Sequence, residues 1–414
     1  MGPDRRASPW VNRNIAVVLA AKATRSLGYG LTSVAVGIFL AEAGYSSIGL
    51  GAVLASGLVG TMLVTLLISF YGDRFGRRRV LTAGSLLMSF ALLFPVFAGQ
   101  PLVLVLTSLT GMIAVSSSAG GGLDNIDQAI VPETVPVSKR TAAFAAYSMV
   151  TWLGTGVGAA LLGPLSELGA GLGLEGPDRY WPVFATYALM GLIGAALVLF
   201  LDRRVELGSR TQPRFGVDES RGVVARLGAL TAVDAFAGGL IVRGFFAFWL
   251  AERFSFTAGE IGTLFALASV TAAASFPVGA AVARRIGMVR TMVLTHIPSS
   301  VLLLVLAFLP GTAGGLAAAT FLVRSFLSTM DVPIGQSYLM GIVTREERTG
   351  ASGLMSVTRA GAQTPSPLAA TGLLAVFGLA APLALAAGLQ IVGDLTLYRW
   401  FADRPAEGEE ALRE

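Results

Sequence analysis

Cysteine is absent from all 414 residues, so disulfides, thiolate chemistry and cysteine metal sites are excluded. Histidine is almost absent too, with His296 alone in the chain. No HExxH, GxSxG or carboxylate-metal cluster appears, which removes the usual constellations of a membrane enzyme. A phosphate-binding glycine loop is missing as well, so ATP is not the direct energy source. Charge is scarce, because Asp, Glu, Lys and Arg make up 13% of the residues, against about 25% in a soluble domain. No cofactor and no metal are expected.

Apolar residues fill the space that charge leaves. The chain is 54% hydrophobic and holds 51 glycines, a residue more frequent in transmembrane helices than in soluble ones. Crossing a hydrocarbon core of ~30 Å takes roughly 20 apolar residues, and such runs recur along the whole chain. Twelve spans are read, at 14–41, 48–70, 80–98, 102–127, 141–168, 181–201, 226–250, 260–283, 291–309, 313–338, 350–376 and 379–401. The polar start from Met1 to Asn14 resembles no cleavable signal peptide, so the first span is expected to stay in the mature protein.

Lysine and arginine are distributed very unevenly over the connections. One side takes Arg74, Arg77 to Arg79, Lys139, Arg140, Arg284, Arg285, Arg290, Arg345, Arg348 and both tails, while the other takes only Arg179 and Arg253. The positive-inside rule then predicts cytoplasmic termini and a multi-pass protein of a cell inner (plasma) membrane. This asymmetry accounts for the net charge of +5 without a nucleic-acid partner.

The expected organisation is a cytoplasmic tail (1–13), a six-helix bundle (14–201), a polar linker (202–225), a second six-helix bundle (226–401) and a C-terminal tail (402–414). The halves repeat. Leu40-Ala41-Glu42 is matched by Leu250-Ala251-Glu252, and Arg74-Phe75-Gly76 by Arg285-Ile286-Gly287. Gln128 precedes Arg140 by the interval that separates Gln336 from Arg348. The fold class predicted is all-α integral membrane protein, with twelve transmembrane helices in two pseudo-symmetric six-helix bundles around a central cavity. Duplicated halves of this kind bind substrate near the midplane between them.

Between spans two and three, Ser69-Phe70-Tyr71-Gly72-Asp73-Arg74-Phe75-Gly76-Arg77-Arg78-Arg79 resembles the signature of the major facilitator superfamily. Ser69 replaces its first glycine, and the C-terminal copy has Arg284 where Asp73 stands. The resemblance implies an alternating-access carrier whose spans one, four, seven and ten line the cavity. It also implies a conformational latch of loop and span-end charges, mapped onto Asp73, Arg74, Gly76, Arg77, Asp124 and Asp127. Asp331 and Arg359 join the latch because an unpartnered desolvated charge is strongly destabilising.

Charges inside apolar spans are functional-site hypotheses by default. Lys22 and Arg25 fall on span one, Asp124 and Asp127 on four, Asp234 and Arg243 on seven, Arg324 and Asp331 on ten. Only Arg359 and the near-interfacial His296 are read elsewhere. By the repeat, the counterpart of Arg25 is Asp234, which leaves two readings, a permanent ion pair or a switchable one. Arginine keeps its proton, so coupling to protons must run through an aspartate, Asp234 first and Asp127 second. Arg25 with Arg324 suits an organic anion. Tyr29, Tyr147, Gln336 and Asp234 complete the expected substrate contacts, with Asn125, Gln128, Trp152, Tyr338 and Gln363 as weaker ones. Lys22 is expected to snorkel to the inner headgroups and Arg243 to the outer interface. Ser116 to Ser118 and Gly120 to Gly122 are read as packing residues.

Gly154 followed by Gly163-Pro164 is similar to the glycine-proline motif of the family's proton-coupled exporters, without the glycine pair after the proline. A channel would show repeated pore-lining rings, and these charges are mixed in sign. The function expected is therefore secondary active transport, with proton-coupled export of a small amphipathic organic compound as the first reading. Uptake or exchange of an organic anion held by Arg25 and Arg324 is the alternative. The partners expected are a small-molecule substrate, protons and membrane lipid, around a monomer that is not an enzyme.

Overall fold

The structure is a computed structural model that describes residues 12–111, 113, 123, 124, 126, 127, 130, 131, 140–202, 219–344 and 347–404. All regular structure among them is helical, and no strand occurs. The first half contains α1 (Arg13–Glu42), α2 (Ser47–Phe75), α3 (Arg77–Ser89), α4 (Pro101–Ser108), α5 (Arg140–Ala160), α6 (Leu162–Gly171) and α7 (Trp181–Val198). The second contains α8 (Arg221–Gly239), α9 (Arg243–Phe254), α10 (Ala258–Ile286), α11 (Met288–Phe308), α12 (Gly314–Thr329), α13 (Val332–Ile342), α14 (Arg348–Gln363), α15 (Ser366–Phe377) and α16 (Ala380–Phe401).

Among the described residues, seven segments are long and apolar enough to cross a membrane, at 47–68, 146–171, 176–198, 221–239, 258–286, 288–308 and 380–401. Of the other expected spans, the first is matched by α1 and the tenth and eleventh by the helix pairs α12–α13 and α14–α15, while α3 and α4 cover only parts of the third and fourth. Prolines explain most interruptions, since proline has no N–H to give and crowds the turn before it. Pro95 ends span three in two 3-10 turns, and Pro164 accompanies the break between α5 and α6. Pro333 starts α13, and Pro365 with Pro367 divides α14 from α15. The span expected at 226 begins earlier, at Arg221, and breaks at 240–242, where Val242 is extended.

The repeat read in the sequence has a backbone counterpart. Gly76 and Gly287 each open the helix after a short break, with φ of +91° and +92°. Side chains other than glycine rarely take that conformation. Gly76 is thus explained by local geometry at the junction of α2 and α3.

Packing differs between the two ends of the bundle. At the end away from the termini, one buried core contains α1 residues from Tyr29 to Leu40, Leu50 to Leu58 of α2, Phe245 to Leu250 of α9 and Ala370 of α15. The halves meet there through glycine, because a Cβ on Gly37 would lie 1.7 Å from the carbonyl oxygen of Gly244. Gly262 stands in the same relation to the carbonyl of Ala159, and Gly51 lies against the Thr371 hydroxyl. Toward the termini the core divides into a first-half cluster around Ile15, Val18 and Leu81 and second-half clusters around Met288, Tyr338 and Ala351. Among the described residues, then, the halves are joined at the distal end and separate toward the terminal end.

Candidate functional site

Two clusters of charge occupy the bundle, one in each half. The first is built by α1 against the described residues of span four and α5. Arg25 is 0% exposed and is paired through Nη2 with Oδ2 of Asp127, itself 1% exposed. Tyr147 donates its hydroxyl to that same oxygen at 3.2 Å. One turn earlier on α1, Lys22 donates to both oxygens of Asp124 at 2.7 Å and lies 5.1 Å from the centre of the Tyr147 ring. Tyr29 is buried one turn beyond Arg25. Two cations face two carboxylates, so the cluster is neutral without a titratable proton.

Several expectations change here. Arg25 pairs with Asp127 and not with Asp234, because the face of α1 that carries it looks into its own half. Lys22 does not snorkel, since it is 1% exposed and holds Asp124. Asp124 and Asp127 are paired with the α1 cations Lys22 and Arg25. The backbone of Asp73 and Arg74 continues α2, and their side chains lie outside the described residues, as do Asn125, Gln128, Ser116 to Ser118 and Gly120 to Gly122. Arg77 is buried at the start of α3, and Arg78 donates to the carbonyl of Leu199 at 2.6 Å.

The second cluster joins α8, α11, α12, α14 and α16. Asp234 is paired with Arg359 at 3.3 Å, with side chains 39% and 57% exposed. Arg359 therefore meets the α8 carboxylate and is no member of a separate latch. Nδ1 of His296 lies 2.9 Å from Oδ2 and 3.1 Å from Oδ1 of Asp394, on a neighbouring helix. Asp331 sits at the break between α12 and α13, within electrostatic reach of His296, Asp234 and Asp394. Arg324 feels Asp234, and its Nε is buried without a hydrogen bond among the described residues. Ser300 extends the polar line by donating to Gln390 at 3.3 Å.

Asp394 is the residue that sequence reading missed. It interrupts the apolar stretch Gln390-Ile391-Val392-Gly393-Asp394-Leu395, and a buried acid in a span was a sufficient signal. Its presence on span twelve also shows that membrane charges are not confined to spans one, four, seven and ten with two exceptions. His296 is a buried partner, not an interfacial residue.

The remaining expected contacts separate. Gln336 is exposed on α13, whereas Tyr338 is buried, donates to the carbonyl of Arg404 at 2.9 Å and packs on Phe401. Trp152 stacks edge-on with Phe276 at 5.8 Å, a contact between the halves. Arg243 does not reach an interface either, because its guanidinium lies 5.3 Å from the Phe265 ring and donates to Ser269 at 3.4 Å. Gly154 and Gly163 are contact points, facing Ser26 and Gly259.

Outside the spans, Glu347 accepts the backbone N–H groups of Glu219 and Ser220 at 2.9 Å each. Hydrogen bonding, first from the Ser220 side chain, holds its carboxyl below the usual range. At the distal end of α10 Glu260 closes a capping box with Thr257.

A sequence profile described as Major Facilitator Superfamily matches residues 18–251 and 227–414. An uncharacterized membrane protein of Saccharomyces cerevisiae is 25% identical over 402 residues, with 88% of each chain covered. Among solved structures, the nucleoside transporter NupG is similar at a TM-score of 0.73 and 12% identity, covering 94% of this chain and 99% of that one. The inward-open xylose transporter XylE from E. coli gives 0.69 and 14%, over 97% and 100% of the chains. The human organic anion transporter MFSD10 gives 0.63 and 19%, over 94% and 100%. At these identities the structures share the fold alone.

Proposed function

The chain belongs to the major facilitator superfamily, and from that premise we propose that it is a proton-coupled secondary carrier exporting a small amphipathic organic compound. Family membership makes it a multi-pass membrane transporter of the alternating-access kind. The finer reading rests on one observation above the rest, the partly exposed Asp234–Arg359 pair in the half where charge is not fully sequestered. Protonating an aspartate there would release Arg359 and shift the balance between conformations. Asp127, the other coupling candidate, is buried against Arg25 and Tyr147 and takes a fixed structural position in this reading.

With positive loops inside, the terminal end is cytoplasmic, and the separation of the halves toward that end corresponds to an inward-facing state. The two six-helix halves then rock about the distal glycine contacts, as a monomer in a cell inner membrane. Export is favoured by the resemblance of Gly154 and Gly163-Pro164 to the exporter motif. In this reading Asp73 with Arg74 and Arg77 steadies the cytoplasmic side, so Asp73→Asn slows turnover and leaves affinity nearly unchanged.

A second reading, an organic-anion carrier, keeps only Arg324 of its two arginines, because Arg25 is occupied by Asp127. A ligand-induced melting shift on purified protein separates the two, using matched anionic, cationic and neutral solutes with Arg324→Ala alongside. Stabilisation by lipophilic cations or neutral compounds in both proteins supports the exporter. Stabilisation by anions that disappears in Arg324→Ala overturns it.

A further inference from the structure

Counting charge in the second cluster leaves a remainder. Asp234, Asp331 and Asp394 supply three carboxylates, and Arg324 and Arg359 supply two guanidinium groups. The sixth member is His296, with Nδ1 directed at both Asp394 oxygens at 2.9 and 3.1 Å. An uncompensated charge inside an apolar bundle is costly, so such charges are normally paired. The cluster is neutral only when one proton is bound, and imidazole is the side chain whose ordinary range lies closest to neutral pH.

We infer that His296 and Asp394 form the resident proton site of the carrier, a store on α11 and α16 that supplies Asp234 on α8. This rests on the proton-coupled reading and extends it to the residue that holds the proton. With the proton bound, Nδ1–H donates to Asp394 and the cluster is neutral. When the proton leaves to water, the N–H bond breaks and the cluster gains one negative charge. If the proton moves to Asp234, its salt bridge to Arg359 is lost as the His296 cation is lost, so total charge is unchanged.

Of the groups facing His296 from other elements, Asp331 at the α12–α13 break and Asp234 on α8 are acids within its electrostatic reach, Arg359 on α14 is held by Asp234, and Arg324 on α12 lies within reach of Asp234. Arg284 and Arg285 end α10, Arg290 begins α11, Arg221 and Arg226 lie at the start of α8 and Arg399 at the end of α16, all exposed. α13 presents Tyr338, whose hydroxyl is bonded to Arg404. Ser300 and Gln390 continue the polar line between α11 and α16 beyond His296.

Because the chain has a single histidine, its imidazole can be watched without assignment. The full-length protein, labelled with nitrogen-15 histidine and held in lipid nanodiscs, is titrated by NMR. At pH 7 both ring nitrogens are expected to carry protons, with one proton lost in Asp394→Asn. A neutral imidazole at pH 7 in the unsubstituted protein overturns the site, whether or not the variant folds. In parallel, spin labels at Arg79→Cys and Arg290→Cys report the separation of the halves at the terminal end as pH is varied. A separation that responds to pH while the imidazole stays neutral removes His296 and leaves proton coupling standing. A charged imidazole with a separation indifferent to pH keeps the proton site and sinks the coupling.

Discussion

The first half of the molecule closes its membrane charges on themselves, and the second half does not. Lys22 with Asp124 and Arg25 with Asp127 form two direct pairs, three of the four side chains essentially buried. In the second half, Asp234 and Arg359 remain partly exposed, and His296 shares Asp394 with an additional acid, Asp331, nearby. The related halves of one fold thus put similar residues to different uses. A balanced buried set fixes two helices together, whereas a set one proton short is sensitive to pH. Symmetry of the backbone, visible in Gly76 and Gly287, does not extend to charge.

The largest effect should come from Asp127→Ala, which leaves Arg25 desolvated without its partner. Such a loss typically costs about 3 to 5 kcal/mol, so a sharp fall in thermal stability or in yield of folded protein is expected. A near-native melting curve would mean that Arg25 is not held as described. Next, Gly37→Val places side-chain atoms where the Gly244 carbonyl lies. Overpacking costs about 1 to 3 kcal/mol and should separate the distal ends, shortening the spin-label distance at the terminal end.

Asp234→Asn should cost less, about 1 kcal/mol or under, because the Arg359 pair is substantially exposed. Its consequence is functional, since proton-driven flux should lose its pH dependence while the protein remains folded. Unchanged proton-driven flux would remove Asp234 from coupling.

Glu347→Gln is the mildest change. A carboxyl with a lowered pKa contributes stability that is complete above its unfolded value, about 4.3 for Glu, and is lost as pH falls through the folded value. Hydrogen exchange at Glu219 and Ser220 should therefore rise in acid, and at neutral pH in the variant. Equal exchange rates in both proteins would count against this docking contact.

Seven of the spans and the paired Gly76 and Gly287 junctions were legible in the sequence, because hydropathy and glycine report length and backbone conformation directly. Depth was legible only in part, since His296 and Arg243, read as lying near the interfaces, are held inside the bundle by Asp394 and Ser269. Azimuth was not. Arg25 and Asp234 are equivalent in the repeat, yet the rotation of α1 turns Arg25 toward Asp127, and no spacing within one helix states which neighbour its face meets. The same gap sent Lys22 to the headgroups and Arg359 to a latch. Breaks at Pro164, Pro333 and Pro365 were written in the sequence, while the break at 240–242 has no proline to mark it. Asp394 was available as a lone acid in an apolar run, and its meaning emerges only when α11 brings His296 beside it.

The most direct test measures the terminal-end distance between spin labels at positions 79 and 290 from pH 6 to 8 in three proteins: the labelled parent, Asp234→Asn and Asp124→Asn. The absence of native cysteine makes the labelling clean. A pH-dependent distance that is abolished by Asp234→Asn and retained in Asp124→Asn is the predicted result. A response that survives Asp234→Asn and disappears in Asp124→Asn would assign the proton to the first half and contradict the account.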